Sequence, residues 1–358
     1  MTFNSPFASS VATSGKGEVV LAVLPPANPV LKTLTYKYPL KLLSRSPSFF
    51  PEQSVLAETS SVTKPIHLYL LTYGGGLLPG DHIDVSITLD PRARLVVTTP
   101  QGSTKIFKTV PAQGNTTKDQ ETSTPNDDRS RQTLNVFIGS QAGLCYLPDP
   151  SVPFKDSRYE QIQLFTIDGS QKDKERSSFC ALDWVTQGRT SRGENWDFSL
   201  WKGRSEVWSE DRETGKRRLL LRDAVILDDE SGSHPPKNSG TESETGGLIR
   251  ERTYPHGIIG TLILYGPIFD QLGSFIMNMF TSQPRIGGRN WSSAPADASV
   301  ASVKQSQVVW TAARVRAGFV LVKFGAKDFE TAREWLGQLI REEGSIAREF
   351  GEEALICL

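Results

Sequence analysis

The sequence predicts a mainly β protein: a single large domain of many short strands stacked in sheets, with two late α-helices. Three observations carry that expectation. Apolar and polar residues alternate over short runs, the period of a half-buried strand. These runs follow one another closely, punctuated by Gly, Pro and Asp, as in all-β domains rather than α/β nucleotide folds. Only two segments, both after residue 266, have strong helical spacing. The pattern alone leaves sandwich, barrel and β-helix-like stack open.

The domain is expected over 18–345. Residues 1–16 are small and polar and read as a disordered tail. Glu18 to Leu24 is the first strand, and Leu31 to Arg45 is strand-like with Pro39 at an edge or bend. His67 to Tyr73 leads into Gly74-Gly75-Gly76 and Pro79-Gly80-Asp81. Ile83, Val85, Ile87 and Leu89 then alternate with Asp84, Ser86 and Thr88. Arg94 to Thr99 is a further strand, followed by a polar loop ending at Lys105. Residues 111–133 contain almost no apolar side chain, cannot repay their ordering entropy, and read as an insertion.

Strands resume at Leu134–Gly139, Gly143–Leu147, Tyr159–Ile167, Ser178–Thr186, Asn195–Trp201, Ser205–Ser209 and Arg218–Leu227. A second polar insertion covers 228–247, and Gly257–Tyr265 is another strand. Pro267 opens a helix carrying Ile268, Leu272, Phe275, Ile276 and Met279. A third insertion covers 284–306. Val308–Val315 and Gly318–Phe324 form a hairpin. Asp328 caps a helix with Phe329, Ala332, Leu336, Leu339 and Ile340 on one face. Residues 346–358 read as a tail.

Lys plus Arg and Asp plus Glu both number 40, so the net charge is zero and nothing calls for nucleic acid or an anionic membrane. The three cysteines are widely spaced, without the pattern of a zinc knuckle or disulfide framework. No secretory signal or membrane-spanning run is evident, so a cytoplasmic protein is expected. The glycine cluster is not a phosphate loop. Asp81 follows Gly80 where a Walker A loop needs lysine, and a strand rather than a helix comes next. The four histidines form no paired motif and no G-x-S-x-G elbow occurs, so an enzyme is not expected.

Several of these features together resemble the urease accessory protein UreD (also called UreH) family. Gly75, Gly76, Gly80 and Asp81, then Thr98, Thr99 and Lys105, match its signature region. Tyr146-Leu147-Pro148-Asp149-Pro150 with Pro153-Phe154 is similar to its "LPxPxxPF" segment. Leu182-Asp183, Gly188-Arg189 and Gly193-Glu194 resemble its "D…GRxxxGE" segment, and Arg222-Asp223 its "LLLRD"-like strand. The resemblance implies stacked β-sheets with two packed helices. It also implies a non-enzymatic scaffold that binds apo-urease, UreF and the GTPase UreG, and helps deliver nickel to urease, with no tightly bound cofactor.

On that resemblance, Asp81, Glu194, Asp149 and His82 are candidates for a transient nickel path. Carboxylates hold Ni²⁺ weakly enough to release it, whereas rows of imidazoles or thiolates would trap it. Each also has a plainer reading: Asp81 and Glu194 as turn carboxylates, Asp149 as a turn cap, His82 as a solvated side chain. Arg189 either pairs internally with Glu194 or Asp183 or anchors a partner. Gly75, Gly76, Gly80, Thr98, Thr99, Lys105, Gly188, Arg189 and Gly193 are the structural or partner motif. The alternative function is a β-rich ligand- or protein-binding module unrelated to nickel.

Overall fold

The computed structural model describes residues 14–46, 63–99, 104–108, 129–169, 175–211, 214–229, 248–283 and 307–358. Three layers are stacked: a seven-stranded sheet, an eight-stranded sheet, and helices on the outer face of the second.

The early strands are β1 (Lys16–Leu24), β2 (Asn28–Tyr36), β3 (Leu40–Arg45), β4 (Ile66–Thr72), β5 (His82–Leu89), β6 (Arg94–Thr98) and the two-residue β7 (Lys105–Ile106). The middle of the chain forms β8 (Ser130–Ile138), β9 (Gly143–Tyr146), β10 (Val152–Pro153), β11 (Arg158–Asp168), β12 (Ser178–Thr186), β13 (Leu200–Glu210) and β14 (Arg217–Asp228). A short helix α1 (Leu248–Thr253) precedes β15 (Ile258–Tyr265). The remaining elements are α2 (Asp270–Ser282), β16 (Val308–Arg314), β17 (Val320–Ala326), α3 (Phe329–Glu343) and α4 (Ser345–Phe350).

One sheet has the order β14-β13-β11-β8-β5-β1-β2 and the other β16-β17-β15-β12-β9-β6-β4-β3. From β4 to β13 the chain passes back and forth between them. β5, β8, β11 and β13 pair in parallel in one sheet, and β4, β6, β9 and β12 in the other. The middle of the fold is therefore the β-helix-like stack, and antiparallel strands finish its edges.

Strand parity then sorts the side chains. On β5, Ile83, Val85, Ile87 and Leu89 turn inward to the core between the sheets, and the polar residues between them face out. The eight-stranded sheet is covered on both faces, so β9 and β12 read as nearly continuous apolar runs. Phe179, Ala181 and Val185 face the sheet opposite, while Cys180, Leu182 and Trp184 face the helices. The two long helices follow the expected spacing. Leu272 and Ile276 of α2, and Ala332, Leu336, Leu339 and Ile340 of α3, pack on this outer face. The Asp328 carboxylate accepts from the Thr331 backbone N–H at 2.8 Å.

Four expectations change. Residues 130–133, placed in the first insertion, belong to β8 and pair with β5 and β11. The strand-like run Leu31–Arg45 divides into β2 and β3 around a turn at Pro39. Residues 195–199 are irregular, and the two strands expected around Gly203 are the single β13. Gly203 stays in that strand because a Cβ there would lie 2.5 Å from the Trp201 ring. Residues 346–358 are no tail: Ile346, Phe350, Leu355 and Leu358 are buried in the core beneath the helices. The insertions at 228–247 and 284–306 lie almost wholly outside the described residues, as does most of 1–16. No helix among the described residues is long and apolar enough to cross a membrane.

Candidate functional site

The apolar core between the sheets gives way to polar side chains where β8, β11, β12 and β13 come together. Asp183, on the inward parity of β12, accepts from Gln161 Nε2 on β11 at 3.0 Å. Gln161 Oε1 accepts in turn from the Tyr159 hydroxyl at 3.1 Å. Gln163 and Ser205 continue the polar row at 3.3 Å. Burial pushes the Asp183 carboxyl up to about 7; the nearby Asp223 charge adds to this, and Lys323 and Gln161 oppose it. Gly203 gives this carboxylate room, for a Cβ there would sit 2.8 Å from Asp183 Oδ2.

A cavity of about 20 Å³ lies beside Asp183, lined also by Thr99, Gln132, Tyr146, Asp149 and Tyr159. It has room for about one water, since a single water needs roughly 10–15 Å³ on this measure. Asp149 and Thr104 also line a cleft of about 920 Å³ on the outside. On its other side, Asp183 borders a pocket of about 120 Å³ with Trp201, Thr261 and Lys323. The cleft and the small cavity share Thr104 and Asp149, and the small cavity and the largely apolar far pocket share Asp183, so a seam of shared lining residues links the three.

The cleft is assembled from segments distant in sequence. At Gly76 a Cβ would lie 2.5 Å from the Lys105 carbonyl, so the glycine turn packs directly on β7. Leu77 N–H donates to that carbonyl at 2.8 Å, and β7 pairs with β10. Lys105, Val152 and Gly188 contribute three parts of the wall, and Asp328, Phe329 and Arg333 contribute another. Thr98 and Thr99 are buried at the end of β6, and Thr99 Oγ1 accepts from the Asp149 backbone N–H at 2.9 Å. Burial pushes the Asp149 carboxyl up to about 6, against the pull of the Cys357 thiol bonded to it and of the Arg333 charge.

The other sequence candidates sit elsewhere or are otherwise engaged. Asp81 Oδ2 accepts from Leu78 N–H at 2.8 Å, a turn carboxylate. His82 is exposed at the start of β5. Neither is among the residues lining the cleft, cavity or far pocket. Glu194 is clasped by Arg189, whose backbone N–H and Nε donate at 2.9 and 3.0 Å and whose second guanidinium nitrogen donates as well. Burial would raise the Glu194 carboxyl, but these bonds outweigh it and hold it below the usual carboxylate range. The Arg189 guanidinium also stacks 3.8 Å from the Phe154 ring centroid. This staple closes a loop in which Gly188 and Gly193 have positive φ, as do Gly75 and Gly80 in the other motif.

Gln161 and Cys357 were not selected from the sequence, and Asp183 was read there only as a motif residue and a possible partner of Arg189. For Asp183 the usable signal was its place in the Leu182-Asp183 motif.

The family model described as UreD urease accessory protein matches residues 14–355, nearly the whole of this architecture. The chain belongs to the UreD urease accessory protein family. It is 29% identical over 351 residues to urease accessory protein 4 of Cryptococcus neoformans, covering 95% of this chain and 93% of that one. It is 28% identical to an uncharacterized urease accessory protein ureD-like of Schizosaccharomyces pombe, covering 86% and 88%. To urease accessory protein D of Arabidopsis thaliana it is 31% identical, covering 69% and 68%. Its role is in urease maturation, as an accessory protein and not a catalyst.

Proposed function

We propose that the chain binds apo-urease together with UreF and UreG in the cytoplasm, and that the seam from Asp149 to Asp183 is a conduit for nickel on its way to urease. The observation carrying this reading is that both carboxylates line one internal cavity, which meets a large cleft walled by the family's own motif residues. Nickel is cargo here. Carboxylate, amide and hydroxyl oxygens along the seam suit a divalent ion that must leave again. Space for about one water excludes a fully hydrated ion, so the ion exchanges hydration oxygens for those of Asp149, Gln161 and Asp183, or the seam widens in the complex. Within this reading Asp149 remains a path residue and Asp183 joins it. Asp81 and Glu194 support the turn and loop that shape the surroundings, and His82 stands apart.

The test is co-purification of this chain with UreF, UreG and apo-urease, followed by assay of nickel in the recovered urease. The expected result is recovery of all partners, with nickel transfer that depends on GTP and falls in Asp149→Ala. Partner recovery with undiminished transfer in that variant would remove Asp149 from the path. Recovery of no partner would overturn the scaffold.

A further inference from the structure

We infer that the far mouth of the seam is the pocket between β14 and β17, and that Lys323 is the latch that closes it. The inference rests on the conduit reading above. Lys323 comes from the eight-stranded sheet and Asp223 from the edge strand of the other. Their side chains meet across the open edge of the sandwich: Lys323 Nζ donates to the two Asp223 oxygens at 2.7 and 3.0 Å. The same ammonium lies 3.5 Å from Thr261 Oγ1 and borders the pocket that Asp183 lines.

Two strand glycines leave this pocket open. At Gly203 a Cβ would collide with Trp201 and approach Asp183, and at Gly260 one would lie 2.4 Å from the Phe324 ring.

A structural staple between sheets needs only the pair. The position of the pair argues for more. A divalent ion arriving at Asp183 meets a positive charge in the same small pocket, where like charges are poorly screened. Lys323 can move aside because its side chain is 42% exposed, while Asp223 is 16% exposed and stays. Its flexible stem can carry the ammonium into solvent. Displacement of Lys323 leaves Asp223 as the next carboxylate after Asp183, and its return restores the ion pair behind the departing ion.

The test is stopped-flow quenching of tryptophan fluorescence by Ni²⁺ in the full chain, because Trp201 lines this pocket. Trp201→Phe identifies its phase. The latch predicts a Trp201-dependent phase that disappears in Asp183→Asn. It should be about tenfold faster in Lys323→Met, equivalent to ~1.4 kcal/mol of barrier. In Lys323→Arg, which keeps the charge, it should run at the wild-type rate. An unchanged or slower phase in a Lys323→Met protein shown by its thermal melt to be folded overturns the latch and leaves the conduit standing. Absence of any Trp201-dependent phase in both wild type and Lys323→Met, with nickel transfer indifferent to Asp149→Ala, removes the conduit and the latch together.

Discussion

Near β1, β5 and β6 the two sheets meet through Val19, Leu21, Val85, Ile87 and Leu95, whereas near β11, β12 and β13 they meet through Gln161, Gln163, Asp183 and Ser205. Both regions lie in one sandwich and are built by the same back-and-forth chain path. The first is a dry aliphatic core. The second holds a carboxylate raised by burial, and Gln163 Nε2 and Trp201 Nε1 buried with no hydrogen-bond partner among the described residues. A polar group buried without full compensation costs stability. The contrast teaches that the first region holds the fold together, whereas the second gives up stability to keep polar side chains and a small cavity between the sheets.

The largest expected effect lies in the dry region. Leu21→Ala should destabilise the protein by about 2–5 kcal/mol, as cavity-forming core truncations do. Urea denaturation would measure this, and a loss much below that range would break the contrast. Next comes Gly203→Ala. The new methyl meets the Trp201 ring and Asp183 Oδ2, and overpacking should cost about 1–3 kcal/mol. A thermal melt reports it, and an unchanged Tm would mean that the seam is looser than its geometry.

The third effect is a dependence on pH, confined to one window. The folded Asp183 carboxyl titrates at about 7 against an ordinary value of 3.8, so the folded state binds its proton more tightly. Its contribution is fully present below the ordinary value and is lost as pH rises through about 7. Asp183→Asn should therefore gain stability relative to wild type as pH rises across that window, with no such gain at lower pH. Parallel stability curves for the two proteins would show that Asp183 is not held protonated.

The dry region was the more legible one. The alternation Ile83, Val85, Ile87, Leu89 states its own inward face, and each of those residues is buried. The β-helix-like stacking was not legible, because it depends on which strands pair, and local alternation is the same in either arrangement. β12 hid the placement of its carboxylate for a related reason: Asp183 was legible as a motif residue, but a strand buried on both faces shows no alternation that would mark it as facing the opposite sheet. Asp149 was legible from its motif, whereas Cys357 was lost because Ile346, Phe350, Leu355 and Leu358 are too irregularly spaced to announce a packed C-terminus. Glu194 was legible as a motif residue, but its clasp by Arg189 came only with the folded loop.

The central claim is that the polar seam carries nickel. The most direct measurement is the nickel content of urease after GTP-dependent maturation with wild-type chain, Asp183→Asn and Leu21→Ala, all three shown to be folded and bound to their partners. The seam predicts that Asp183→Asn delivers little nickel while Leu21→Ala, though less stable, delivers normally. Equal delivery by Asp183→Asn and wild type would contradict it.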